Sequence, residues 1–283
     1  MSTLNGVNVI KDQYISVCPM TSLMRFGISG NTYAISGATV KGRRNENQDL
    51  FAWSVVSGGR IESCIGGEML RSSAEGRPDM MLALVCDGLG GMRDGAAASR
   101  AVAEDLIRWF MTEGPSEDDP NGSLETAIMA SDTWLGIRHS GSGTTLSAVM
   151  SIGGSWVSAH LGDSRCYRVS ERGVWRTRDQ SPVEDLFRAG MITEDEMNTH
   201  PRSNVMDVCM GLGKARRTVF DDLGDDWDRL VLCSDGAFGY MGAEDFRYVL
   251  RASGSAEGIV DAAYERGSTD NITVVLIEKS RRA

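Results

Sequence analysis

Residues 82–91, LALVCDGLGG, constrain what this chain can fold into more than any other stretch. The apolar run over 80–85 leads through Cys86 to Asp87, and glycines stand at 88, 90 and 91. A short apolar run closed by turn residues reads as a buried strand. A carboxylate at its tip is held on a rigid element, and glycines let the backbone approach whatever it binds. The pattern recurs in LVLCSDG at 230–236, and Asp270 stands just ahead of the apolar run 272–277. Each Asp-Gly or Asp-Asn pair, taken singly, is an ordinary turn. Together, with two of them directly after buried strands, they point to one acidic cluster. Carboxylates crowded without a cation would repel and take up protons. The cluster therefore calls for hard divalent ions held through oxygen. Two ions about 3.5–4 Å apart would activate a water for in-line displacement.

Charge and composition remove several classes of partner. A formal net charge of −10 and a pI of about 4.9 argue against nucleic acid and anionic membranes. The cysteines (Cys18, Cys64, Cys86, Cys166, Cys209, Cys233) show no CxxC spacing, and Cys86, Cys166 and Cys233 lie in apolar runs. They read as free thiols in a reducing compartment. His139, His160 and His200 are scattered, which speaks against a His-rich zinc site and suits structural or surface roles. No apolar stretch approaches the ~20 residues of a membrane span, and the N-terminus lacks a signal-peptide pattern. A cytoplasmic protein is expected.

Along the 283 residues the period changes several times. Residues 1–30 give little beyond a short hairpin suggested by Val7, Val9, Tyr14, Ile15 and Val17. Strands are expected at 32–40, 51–56 and 80–85, with the Gly- and Ser-rich segment 58–79 as a long excursion between two of them. Helical spacing of Ala98, Val102, Leu106, Trp109 and Phe110 predicts a helix over 95–113, and Leu124, Ile128, Ser131 and Leu135 mark a second. Period two returns at 144–151, 156–161 and 166–169. Residues 182–214 read as a small irregular subdomain with two short helices, the second opened by a Thr193–Glu196 capping box. Strands at 218–220 and 230–233, helices at 243–252 and 256–266, and a strand at 271–277 complete the chain. Strands, helices, strands, helices and a strand do not alternate as in a parallel α/β sheet. The order predicts an α+β fold, with two antiparallel sheets packed face to face and helices outside.

Other candidates flank the acidic positions. In the polar loop around Arg43, Arg44, Asn47, Gln48 and Asp49, a guanidinium could grip phosphate through its planar fork, although paired arginines are usually solvated. Asp49 would hydrogen-bond metal-bound water or ligate through it. Asp163, in a GDSR turn between strands, adds a fourth carboxylate. Thr144 and Thr145 start a strand at the back of such a site; no suitably spaced His or Lys activates them as nucleophiles.

Seven segments carry a specific pattern in order: RRNENQD at 43–49, CDGLGG at 86–91, SGTTL at 142–146, LGDSRCYRV at 161–169, TRDQS at 177–181, CSDG at 233–236 and STDNITVV at 268–275. Over about 32–278 the chain resembles a bacterial metal-dependent Ser/Thr protein phosphatase of the type 2C (PPM) family. The resemblance implies a four-layer α-β-β-α sandwich, with one catalytic domain over 31–283 after an N-terminal extension of 1–30. Asp87 would bridge two Mn²⁺ or Mg²⁺ ions, the Gly88 carbonyl would serve one, and Asp235 and Asp270 would complete the ligands. Asp49 would hold metal-bound water. Arg44, at the family's spacing from that Asp, would bind the substrate phosphate. Asp163 matches a third-metal position shared with Asp235, and 182–214 matches the flap beside the active site.

The implied reaction is hydrolysis of phosphoserine and phosphothreonine in proteins by a metal-bridging hydroxide. A cognate Ser/Thr kinase and a signalling role follow from the same resemblance. Two positions depart from it. Gln48 stands where many members carry an acid, and Leu89 where many eukaryotic members carry a His proposed as the general acid. A degenerate binding protein and a small-molecule phosphoesterase are the competing classes; the complete carboxylate set favours an enzyme.

Overall fold

A computed structural model describes residues 14–17, 24–89 and 94–280. Val7, Val9, Gly90 and Gly91 lie outside the described residues.

Two antiparallel sheets of seven strands make the centre. The first runs β1 (Tyr14–Val17), β3 (Asn31–Val40), β14 (Ile272–Lys279), β13 (Arg229–Cys233), β10 (Arg165–Ser170) and β11 (Gly173–Arg176), with β2 (Met24–Ile28) also paired to β3. The second runs β12 (Val219–Asp222), β9 (Ser155–Leu161), β8 (Leu146–Ile152), β7 (Met80–Asp87), β4 (Asp49–Ser57), β5 (Arg60–Ile65) and β6 (Glu68–Ser73).

Three apolar seams separate four layers, as the sequence pattern predicts. Between the sheets, Phe51, Trp53, Met81, Val85 and Val149 meet Ile35, Cys166, Leu230, Leu232 and Val275. On the outer face of the second sheet, Leu50, Leu82, Leu84, Leu146 and Met150 pack against α1 (Gly95–Thr112) and α2 (Pro120–Arg138) through Val102, Leu106, Phe110, Leu124 and Ile128. On the outer face of the first, Val231, Val274 and Leu276 pack against α5 (Asp235–Phe238), α6 (Ala243–Ala252) and α7 (Ala256–Glu265) through Phe238, Phe246, Val249, Ile259 and Val260. Strands covered on both faces read as continuous apolar runs rather than alternating ones. That is why β7, the strand of LALVCD, buries every residue up to Cys86.

Two expectations are corrected. The segment 58–79 is not an unstructured excursion: β5 and β6 form a hairpin that extends the second sheet from β4. Arg77 then closes it onto the end of α1, its guanidinium donating to the Phe110 and Met111 carbonyls at 2.7 and 2.6 Å. Setting residues 1–30 aside as an extension is also too coarse, because Tyr14–Val17 and Met24–Ile28 pair with β3 inside the first sheet. Residues 182–214, the segment expected to form a flap, comprise α3 (Pro182–Arg188), α4 (Glu194–Thr199) and irregular chain, and the Thr193–Glu196 capping box is present. Arg176 of β11, nearly buried, ties this segment to the first sheet by pairing with Glu184 at 2.8 Å and Glu194 at 2.9 Å.

Candidate metal centre

All the singled-out carboxylates gather at one end of the sandwich. Asp49 opens β4 and Asp87 closes β7, directly opposite each other in register. The Asp87 backbone is braced on three counts: its N–H donates to Thr145 Oγ1, its carbonyl accepts from Thr144 Oγ1, and it accepts again from the Thr145 N–H, each at 2.9 Å. Gly88 is wedged behind it. A Cβ there would stand 2.2 Å from the Gly95 carbonyl oxygen and 2.6 Å from that of Gln48, so only glycine allows the loop to meet α1 this closely.

The first sheet supplies Asp235 and Asp270. Asp235 is the first residue of α5, immediately after β13. Ser234, just before it, donates through Oγ to Asp49 Oδ2 at 2.7 Å and accepts from the Thr273 N–H at 3.0 Å. One hydroxyl therefore ties the two sheets together beneath the site. Asp270 is placed by its neighbour: the Asn271 amide accepts from the Gln48 N–H at 2.9 Å and donates to the Lys41 and Glu46 carbonyls at 2.8 and 2.9 Å. Arg44 reaches in from that same loop, and its Nη2 donates to Asp270 Oδ2 at 2.6 Å.

Asp163 sits in the β9–β10 turn. Its neighbour Ser164 shares a 2.7 Å hydrogen bond with Thr145 Oγ1, and Gly162 exchanges hydrogen bonds with Gln180. Next to it Arg165 forms a buried two-pronged pair with Asp179, at 2.8 and 2.7 Å, and its guanidinium carbon lies 3.7 Å from the centre of the Phe238 ring.

Burial and mutual repulsion set the electrostatics. Asp87 and Asp235 are pushed well above the usual carboxylate range, first by burial and then by surrounding carboxylates. Burial and the charge of Asp179 push Asp163 to about 7, against the pull of Arg165. Burial pushes Asp49 to about 6, against hydrogen bonds from Ser234 and Thr273. Asp270 and its charge hold the Arg44 guanidinium up, with Tyr240 and Asp235 adding to the effect.

Arg44, Asp87, Gly88, Asp163, Asp235 and Asp270 all border one open cleft of about 780 Å³. Asp49 does not border it but is buried beside Asp87 on the adjacent strand. Among the described residues no three acidic, His or Cys side chains are drawn closely enough together to enclose an ion. Asp49 is turned to Ser234 and Asp270 to Arg44. The donor set nevertheless fits divalent ions. It consists of oxygen ligands in mutual repulsion, and Arg44 is the one cationic side chain bordering the cleft among the described residues.

The histidines take no part: His160 is buried in β9, and none lines the cleft among the described residues. Leu89 lines it instead. Sequence reasoning did not assign roles to Ser234, Asn271, Arg165 or Asp179. Each lies inside a quoted motif, which was the signal available for them.

Scanned against protein-family models, the chain matches none. A protein phosphatase 2C-type protein of Streptococcus pyogenes is 31% identical over 218 residues, covering 72% of this chain and 87% of the relative. The crystal structure of the Ser/Thr phosphatase Stp1 from Staphylococcus aureus superposes with a TM-score of 0.74 at 25% identity, covering 91% of this chain and 99% of that one. The catalytic domain of the phosphatase PstP, solved in complex with two manganese ions, superposes with a TM-score of 0.65 at 23% identity, covering 88% and 99%. Sequence likeness over most of a relative's length and a shared two-sheet sandwich agree, and the chain belongs to the type 2C (PPM) family of Ser/Thr protein phosphatases.

Proposed function

We propose that this protein hydrolyses phosphoserine and phosphothreonine monoesters in other proteins, opposing a Ser/Thr protein kinase, with two divalent ions, Mn²⁺ or Mg²⁺, in the cleft. The observation that carries the reading is the convergence of Asp49, Asp87, Asp163, Asp235 and Asp270 from both sheets beside one exposed arginine. Asp87 and the Gly88 carbonyl, with Asp235 and Asp270, would hold the ions, and Asp163 with Asp235 would offer a third position. When bound, the ions supply a water activated for attack and charge to stabilise the phosphoryl oxygens. For this chain the two-ion reading rests on its own donor set.

The protein's residues orient and stabilise. Arg44 has a side chain 56% exposed, so it can swing from Asp270 to a substrate phosphate and hold two of its oxygens through the guanidinium fork. Placing donors and charge around a transferring phosphoryl group is most of what such chemistry requires. Asp49 spends one oxygen on Ser234 and would hold a water with the other. Ser234, Thr144 and Thr145 keep Asp49 and Asp87 in place.

The proposal puts the enzyme in the cytoplasm among phosphorylated proteins. The buried cysteines at 86, 166, 209 and 233, none of them in a disulfide, fit a reducing compartment. Among the described residues no helix is long and apolar enough to cross a membrane.

The test is phosphate release from a phosphothreonine peptide with Mn²⁺, with a chelator, and with the Asp270→Ala variant. Turnover with Mn²⁺ that both controls abolish is expected. A folded, manganese-loaded protein that releases no phosphate would overturn the proposal.

A further inference from the structure

A second groove, of about 280 Å³, opens off the phosphate cleft between flap and body and shares Asp163, Asn204, Asp235 and Asp270 with it. Val183 and Met197 line it from the flap, and Phe238 and Tyr240 from the body. Val183, Met197 and Phe238 are nearly buried, whereas Tyr240 is 42% exposed.

The exposed ring is held at its tip. The Tyr240 hydroxyl shares a 2.5 Å hydrogen bond with Thr269 Oγ1, one residue before Asp270. The Thr269 carbonyl in turn accepts from the Arg43 N–H at 3.3 Å. The ring therefore stands where the phosphate cleft meets the groove, tethered to the loop that carries Asp270 and close to Arg44. A tethered, half-exposed tyrosine offers a large contact area with little freedom left to lose.

Charge narrows what can lie there. The one cation lining the groove among the described residues is Arg165, which is buried and already engaged by Asp179. An acidic flank would find no free cation there and would face Asp179 and Asp163.

We infer that Tyr240 is a specificity-determining residue: the groove takes the segment flanking the phosphorylated residue, and a non-acidic, apolar side chain of that segment packs on the Tyr240 ring. The inference rests on the phosphatase reading above and adds the class of phosphoprotein that the site selects.

The test uses phosphothreonine peptides that differ only in the residue flanking the phosphothreonine, carrying Leu, Ala or Asp on either side, with para-nitrophenyl phosphate as the reference. Burying one apolar side chain against a formed surface discriminates by about 10-fold. On one side of the phosphothreonine the full-length wild type should therefore show kcat/KM falling about 10-fold from Leu to Ala, and further to Asp. In Tyr240→Ala the Leu-over-Ala ratio should collapse towards one, and the ratio of peptide to small-ester kcat/KM should fall. Tyr240→Phe, which keeps the ring, should retain the Leu preference.

A flank-blind wild type, or a preference that survives Tyr240→Ala, overturns the inference while leaving the phosphatase reading standing. Failure of wild type on every substrate, the small ester included, overturns the phosphatase reading instead.

Discussion

Asp179→Ala tests how far the site depends on a buried ion pair that ligates nothing. The side chains of Arg165 and Asp179 are each only 5% exposed and meet through two hydrogen bonds. Burial alone would raise the Asp179 carboxyl, but Arg165 and then Arg176 hold it below the usual range. Removing Asp179 leaves Arg176 its glutamates. Arg165 keeps only the Tyr167 hydroxyl, at 2.9 Å, and the Phe238 ring. Stripping one partner from a buried pair costs about 3–5 kcal/mol, because the remaining charge is buried and uncompensated. At roughly 2–4 °C per kcal/mol for a large domain, Tm should drop by about 6–20 °C. Replacing both partners, as Arg165→Met with Asp179→Leu, should recover most of that loss, since apolar replacement of a buried pair is often close to neutral. Scanning calorimetry of the chelated protein measures both variants. A drop under about 2 °C for Asp179→Ala, or a double variant as unstable as the single, would refute this account of the pair.

Other perturbations have signs fixed by the same geometry. Asp87→Ala and Asp270→Ala should each remove nearly all phosphatase activity while circular dichroism shows an intact fold; full activity with manganese bound would sink the ligand assignment. Arg44→Ala should raise KM for a small phosphoester, and should also tighten Mn²⁺ binding in calorimetry by up to about fivefold, since it removes a cation competing for Asp270 through an exposed pair worth about 0.2–1 kcal/mol. Weaker Mn²⁺ binding would contradict that competition. Asp49 and Asp163 are raised to about 6 and about 7, so the folded, chelated protein keeps protons that the unfolded chain has released. Its stability should fall as pH rises from about 4 to about 7, and Mn²⁺ should offset the fall; denaturant midpoints that rise across that window in chelator would reverse the sign. Gly88→Ala should destabilise the protein strongly, because backbone rather than a movable side chain blocks the added methyl, and an unchanged melting point would refute that.

What the sequence disclosed and what it hid divide along physical lines. The layers and the acidic positions were legible because β4, β7, β13 and β14 are covered on both faces and break off at charged or turn residues. The β5–β6 hairpin was not legible. β6 is a mostly exposed edge strand whose residues follow no period, and its strand character comes from pairing with β5. The four residues of α5 are too few to show a helical period, and β11 is equally short.

The supports of the site were hidden for a different reason: they act across great sequence separation. Ser234 reaches Asp49 from 185 positions away, and Asn271 reaches Gln48 from 223. No local pattern encodes such contacts, yet they bring the carboxylates of the two sheets into one cluster. Asp49 and Asp87 belong to the second sheet, while Asp235 and Asp270 flank strands of the first. Neither sheet alone holds the full set. Asp49 and Asp87 already repel within the second sheet, but the full repulsion that calls for a cation arises only once the sandwich has closed, which would make divalent-ion affinity a property of the assembled fold rather than of any one motif.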